Sequence, residues 1–176
     1  TPCGTLFPYT TLFRSGFIIA GAAVRSVGFE TPEQFLRDAD HACRRSIPAP
    51  SALILNFPSN PTAQVVDRGF YEEAVRLAKK NDLILISDLA YAEIWFDGGP
   101  PPSILEVPGA KDVAVEFTSM SKTYSMPGWR IGFAAGSARL VDALKRVKSY
   151  LDYGAFTPVQ IAAVAALDGP QDDVEA

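Results

Sequence analysis

Three short stretches of this chain are apolar without the polar alternation that a half-exposed strand needs. They are Ser51-Ala-Leu-Ile-Leu-Asn-Phe57, Leu83-Ile-Leu-Ile86 and Val113-Ala-Val-Glu-Phe117. Strands of this kind are buried on both faces, and they occur mainly in parallel sheets whose connections are helices. Helical patterns do lie between them. Thr31-Pro-Glu-Gln34 opens one, with Thr31 as cap, Pro32 at the first helical position and Gln34 completing a capping box. Phe35, Leu36, Ala39 and Ala42 give it an apolar face to about Arg45. Asp67 caps a second, on which Phe70, Ala74, Leu77 and Ala78 recur at helical spacing. Arg130–Gly136 reads as a further strand, and Gly16–Val27 as one or two short ones. A helix is expected over Ser137–Tyr153, and another, nearly all Ala, Val and Ile and so expected to be buried, over Pro158–Leu167. The expected class is α/β: a mainly parallel sheet sandwiched by helices, with ligands beyond the carboxyl ends of the strands.

Composition narrows the partners. The 176 residues are 48% hydrophobic, enough for one domain with a real core, and the net charge of −4 offers nothing to nucleic acid or an anionic membrane. No apolar run approaches the roughly 20 residues of a membrane span, so the chain reads as soluble. Cys3, Cys43 and the lone His41 make neither a disulfide framework nor a metal site, and free thiols suit the cytoplasm. Residues 1–15 are set apart, because Leu6–Ser15 matches the in-frame translation of a common sequencing-library adapter. Residues 16–176 then form one unit with no internal boundary, interrupted rather than finished at Asp168–Ala176.

Three motifs follow predicted strands. In Thr118-Ser-Met-Ser-Lys-Thr-Tyr-Ser-Met-Pro-Gly-Trp-Arg-Ile-Gly-Phe133, Lys122 sits at a strand-to-loop junction among hydroxyl residues. An amine so placed can form a Schiff base with an aldehyde cofactor when its surroundings favour the neutral form. Ser119, Ser121 and Arg130 could supply two neutral donors and a cation to a phosphate. In Asn56-Phe-Pro-Ser-Asn-Pro-Thr62, propensity alone accounts for a turn. In Ser87-Asp-Leu-Ala-Tyr-Ala-Glu93, an aspartate at a strand end could be only a turn former.

Taken together and in this order, the motifs resemble the class I/II aminotransferases, which are fold-type-I enzymes dependent on pyridoxal 5'-phosphate (PLP). The lysine segment is similar to that family's S-x-S-K-x-x-x-x-x-G-x-R-x-G, and the likeness extends over roughly residues 16–170, nearest to the alanine transaminase and LL-diaminopimelate aminotransferase branch. The resemblance implies that Lys122 carries PLP and moves the proton, and that Asp88 faces the pyridine nitrogen. It also implies that Asn60 and Tyr91 donate to the ring oxygen, and that Ser119, Ser121 and Arg130 hold the phosphate. The implied substrates are an L-amino acid and a 2-oxo acid, and the implied assembly is a homodimer at full length. The family's phosphate loop and ring-stacking aromatic would precede this segment, so Tyr9 is not given the stacking role. Its small domain and substrate-carboxylate arginine would follow, so this segment alone is expected to be inactive. Other readings of the scaffold are a PLP-dependent lyase or synthase, the effector domain of a transcription regulator, and a module that has lost its chemistry.

Overall fold

A computed structural model describes residues 4–7 and 11–175. Cys3 and Tyr9 lie outside the described residues. Strands β1 (Gly4–Phe7), β2 (Ala23–Ser26), β3 (Pro50–Asn56), β4 (Ile84–Asp88), β5 (Ala114–Ser119) and β6 (Gly132–Gly136) form one sheet in the order β2-β1-β3-β4-β5-β6. Every neighbouring pair is parallel except β5–β6, which is antiparallel. Helices α1 (Thr11–Ile19), α2 (Pro32–Arg45), α3 (Arg68–Asn81), α4 (Met120–Thr123), α5 (Ala138–Leu151), α6 (Thr157–Asp168) and α7 (Asp172–Glu175) connect and flank the strands. The expected α/β class is what the chain adopts.

Local chemistry explains the helix starts. Thr31 Oγ1 accepts from Gln34 N at 3.2 Å, and Asp67 Oδ1 accepts from Phe70 N at 2.8 Å, each satisfying a helix N–H that has no partner inside the helix. Helices α2 and α3 lie against each other and bury Phe35, Ala39, Phe70, Tyr71 and Ala74 over Leu53, Leu55 and Leu85 of the sheet. Phe29, Phe35, Phe57 and Phe70 meet there with ring centroids 4.9 to 6.3 Å apart, and each buried ring contributes about 1.5–3 kcal/mol. Alternate residues on β4 are covered unevenly: Leu85 and Ser87 are buried, whereas Ile84, Ile86 and Asp88 on the other face are half-buried.

A carboxylate is embedded on the buried face. Glu116 of β5 accepts from Ser87 Oγ at 3.1 Å, from Ser103 Oγ at 2.6 Å and from Ile104 N at 3.1 Å. It thereby ties the connection between β4 and β5 to the sheet. The phenol of Tyr71 borders the same cluster. Burial and the charge of Glu116 push its pKa well above the ordinary value, against a hydrogen bond with Ser87 that lowers it.

Three expectations need correction. Gly16–Ile19 is the end of α1, not a strand, and only Ala23–Ser26 pairs in the sheet; a short apolar run fits either period, and here it continues a helix begun at Thr11. The last strand begins at Gly132 rather than Arg130, because Arg130 has φ of 50°, a left-handed conformation no strand can contain. Helix α6 is not buried: Ile161 is 65% exposed, Val164 55% and Leu167 43%, with Ala163 alone buried. An apolar surface running right round a helix needs cover on every side, and here α6 has a neighbour on one side, across a cleft lined by Met120, Ile131 and Phe133.

Candidate active site

The site forms where β3, β4 and β5 end. Asn56 is the last residue of β3 and Asp88 the last of β4, and the two are register partners, so their side chains leave the sheet on the same face. Asn56 Nδ2 donates to Asp88 Oδ2 at 2.9 Å, and Ala90 N donates to Asp88 Oδ1 at 3.2 Å. Burial raises the pKa of the Asp88 carboxyl above its ordinary value of 3.8; the Ala90 and Asn56 hydrogen bonds oppose that rise without cancelling it. Each carboxylate oxygen still has a lone pair to spare for a ligand N–H.

The second motif folds back on the first. Asn60 N donates to Asn56 Oδ1 at 3.1 Å, and Asn60 Nδ2 donates to Tyr91 Oη at 3.1 Å. Tyr91 lies three residues beyond Asp88, in the turn that Asp88 itself braces through Ala90. After β5 the chain enters the single turn α4, where Ser119 Oγ accepts from Ser121 N at 3.2 Å. That turn presents Lys122 to Tyr91, with Nζ 5.6 Å from the ring centroid. Among the described residues Lys122 forms no salt bridge, and Thr118 Oγ1 just before it is buried without a hydrogen-bond partner.

Four expected residues, Asn60, Asp88, Tyr91 and Lys122, are thus brought together. The other three serve local ends in this structure. Ser119 and Ser121 cap a turn, and Arg130 Nη1 donates to Pro127 O at 3.0 Å, holding its guanidinium beside its own loop. A cavity of about 580 Å³ opens beside the cluster; it touches Asn60 and Tyr91 and is otherwise lined mainly by Val65, Trp95, Phe96 and the prolines around them. It does not reach Lys122 or Asp88, so the chemistry lies at its edge rather than at its centre.

Sequence reasoning missed Asn56, which bonds to both Asp88 and Asn60. A signal was present, since one amide closes a strand whose other buried positions are apolar, and a buried amide must find partners.

The donor set suits the expected aldehyde cofactor. An amine that forms no salt bridge among the described residues stands over the Tyr91 ring and could take an aldehyde, a fixed carboxylate could accept from a ring N–H, and a paired amide and phenol complete the cluster. The family model for aminotransferase class I and II matches residues 8–176, and the chain belongs to that family. It is 62% identical to AatC of Rhizobium meliloti (strain 1021) over 159 residues, covering 90% of this chain and 39% of that protein. It is 55% identical to the glutamate-pyruvate aminotransferase AlaC of Escherichia coli (strain K12), again over 90% of this chain and 39% of the relative. The substrate-bound structure of BacF from Bacillus subtilis superposes with a TM-score of 0.90 at 33% identity, covering 99% of this chain and 44% of that one. The chain therefore spans about two-fifths of the length of the curated relatives it matches.

Proposed function

We propose that the protein carrying this segment is a PLP-dependent aminotransferase that moves an amino group from an L-amino acid, alanine-like or diaminopimelate-like, to a 2-oxo acid. The observation that carries this reading is the convergence of Lys122, Tyr91, Asn60 and Asp88 at the carboxyl ends of neighbouring strands. When bound, PLP supplies an electron-withdrawing ring that takes up the electron pair released at the substrate α-carbon. Asp88, held by Asn56 and Ala90, accepts from the ring N–H and keeps that nitrogen protonated. Asn60 and Tyr91, already bonded to each other, orient the ring through its oxygen. Lys122 Nζ would hold the cofactor through its aldehyde carbon and, when free, would carry a proton from the substrate α-carbon to that aldehyde carbon, as base and then acid. Ser119, Ser121 and Arg130 take the phosphate, which requires Arg130 to exchange Pro127 O for the anion.

The name of AlaC, a glutamate-pyruvate aminotransferase, pairs an amino acid with a 2-oxo acid and supports substrates of those two classes. Homodimeric assembly, cytoplasmic location and dependence of full activity on the remaining length of the protein belong to the same reading. So does the assignment of residues 1–15 to adapter sequence and of 16–176 to part of the large domain, which resequencing the source gene checks. Incubation with PLP and borohydride, followed by peptide mass spectrometry, should find the reduced pyridoxyl group on Lys122. In the whole protein Lys122→Ala should abolish transamination. Label spread at random over surface lysines, or undiminished turnover in that variant, would refute the assignment.

A further inference from the structure

We infer that Asn56 is a positioning residue that locks the carboxylate of Asp88 and the amide of Asn60 into one unit, an inference that rests on the function proposed above. Asn56 is only 3% exposed and closes a strand whose other buried positions are apolar, where a leucine would satisfy the core better. Both ends of its amide are engaged with the site. The Asn60 backbone N–H can only donate, so the Asn56 oxygen must face it, and the Asn56 nitrogen is left facing Asp88, which can only accept when ionised.

The result is a closed circuit. Asp88 accepts from Ala90 N, Ala90 is covalently followed by Tyr91, Tyr91 Oη accepts from Asn60, Asn60 N donates to Asn56, and Asn56 donates back to Asp88. In that circuit β3 enters through Asn56. Removing its amide leaves Asp88 tied only to its own turn and frees Asn60 from the sheet. The two groups that would meet the cofactor nitrogen and the ring oxygen then no longer hold a fixed separation, a condition that a preorganised site must meet.

Two substitutions of matched size test this in the whole protein. Asn56→Leu removes both contacts without adding charge, while Asn56→Asp keeps an acceptor for Asn60 N and sets a second carboxylate against Asp88 in place of the donor, which should displace the titration midpoint further than Asn56→Leu does. The readouts are the dissociation constant for PLP, the midpoint of the pH titration of its visible band, and the thermal midpoint of the cofactor-free protein. Loss of one hydrogen bond to a charged group corresponds to a weakening of about tenfold, expected in both variants together with a displaced titration midpoint. Wild-type affinity and midpoint in both variants would overturn the inference, even if the cofactor-free protein became less stable, because Asn56 would then serve the fold alone. If Asn56→Leu does not fold, Asn56→Ala, which also adds no charge beside Asp88, decides by the same criteria. The wild type is labelled with borohydride in parallel: absence of a pyridoxyl group on Lys122 overturns the proposed function and this inference together. A labelled wild type with unaffected variants overturns the inference alone.

Discussion

Replacing Glu116 with leucine should be among the most damaging single changes on the buried face. Its carboxylate receives hydrogen bonds from Ser87 Oγ, Ser103 Oγ and Ile104 N, and removing it leaves all of them facing a methyl group. The Ile104 N–H is a backbone donor that cannot turn away, and a buried donor left unsatisfied costs about 1–3 kcal/mol. The hydroxyls can rotate, so about 1 kcal/mol each is a fair allowance for two displaced bonds. Together these come to about 3–5 kcal/mol, a large share of the roughly 5–15 kcal/mol that a domain has. Glu116→Gln should cost less, about 1–2 kcal/mol, since its one oxygen can keep Ile104 N while Ser103 Oγ turns to accept from the new amide. Urea denaturation of the purified chain measures both variants, and hydrogen exchange at the Ile104 amide locates the effect. If leucine costs under about 1 kcal/mol, or the Ile104 amide stays protected, the carboxylate does not hold this connection and the reasoning fails.

Asp88 gives a pH dependence. Its folded pKa lies above the ordinary 3.8, so folding gains a contribution that is complete below 3.8 and lost as pH rises through the folded value. Wild-type stability relative to Asp88→Asn should therefore decline as pH rises above 3.8, and urea midpoints of the two cofactor-free proteins that run parallel would contradict this. Gly132→Ala places a methyl carbon 2.5 Å from Thr118 O, a backbone atom that cannot move aside without opening the β5–β6 pair. A loss of about 1–3 kcal/mol is expected, and an unchanged denaturation midpoint would show that β6 shifts freely. Asp67→Ala removes the cap on Phe70 N and should cost about 1 kcal/mol by the same assay, with no effect on PLP labelling of Lys122.

What could be read from the sequence was mostly local or repeated. The caps at Thr31 and Asp67 act over three residues, and the strands that end at Asn56 and Asp88 announce themselves by unbroken apolar runs. The motif residues Asn60, Tyr91 and Lys122 were legible because their order behind such strands resembles that of the aminotransferase family. The partners were not. Asn56 meets Asp88 across 32 residues, and Glu116 meets Ser87 across 29, separations that no periodicity encodes. Helix α6 was misjudged for a related reason: its composition demands cover, and composition does not say whether the covering surface belongs to the same stretch of chain. Arg130 shows the limit of a motif, which fixes the residue type while the loop decides, here with Pro127 O, where the guanidinium rests.

The alternation along β4 has a consequence for folding fidelity. Asp88 aligns with Asn56 and Phe117 on one side of the sheet, while Ser87 aligns with Leu55 and Glu116 on the other. A slip of one residue that brought Asp88 level with Glu116 would send it toward that carboxylate and put Leu89 where the acid belongs. Two like charges would then meet in the core, and Asn56 would lose its acceptor. Each face of the strand thus proofreads the other, and a chain that has made its buried hydrogen bonds correctly has already placed its acid correctly.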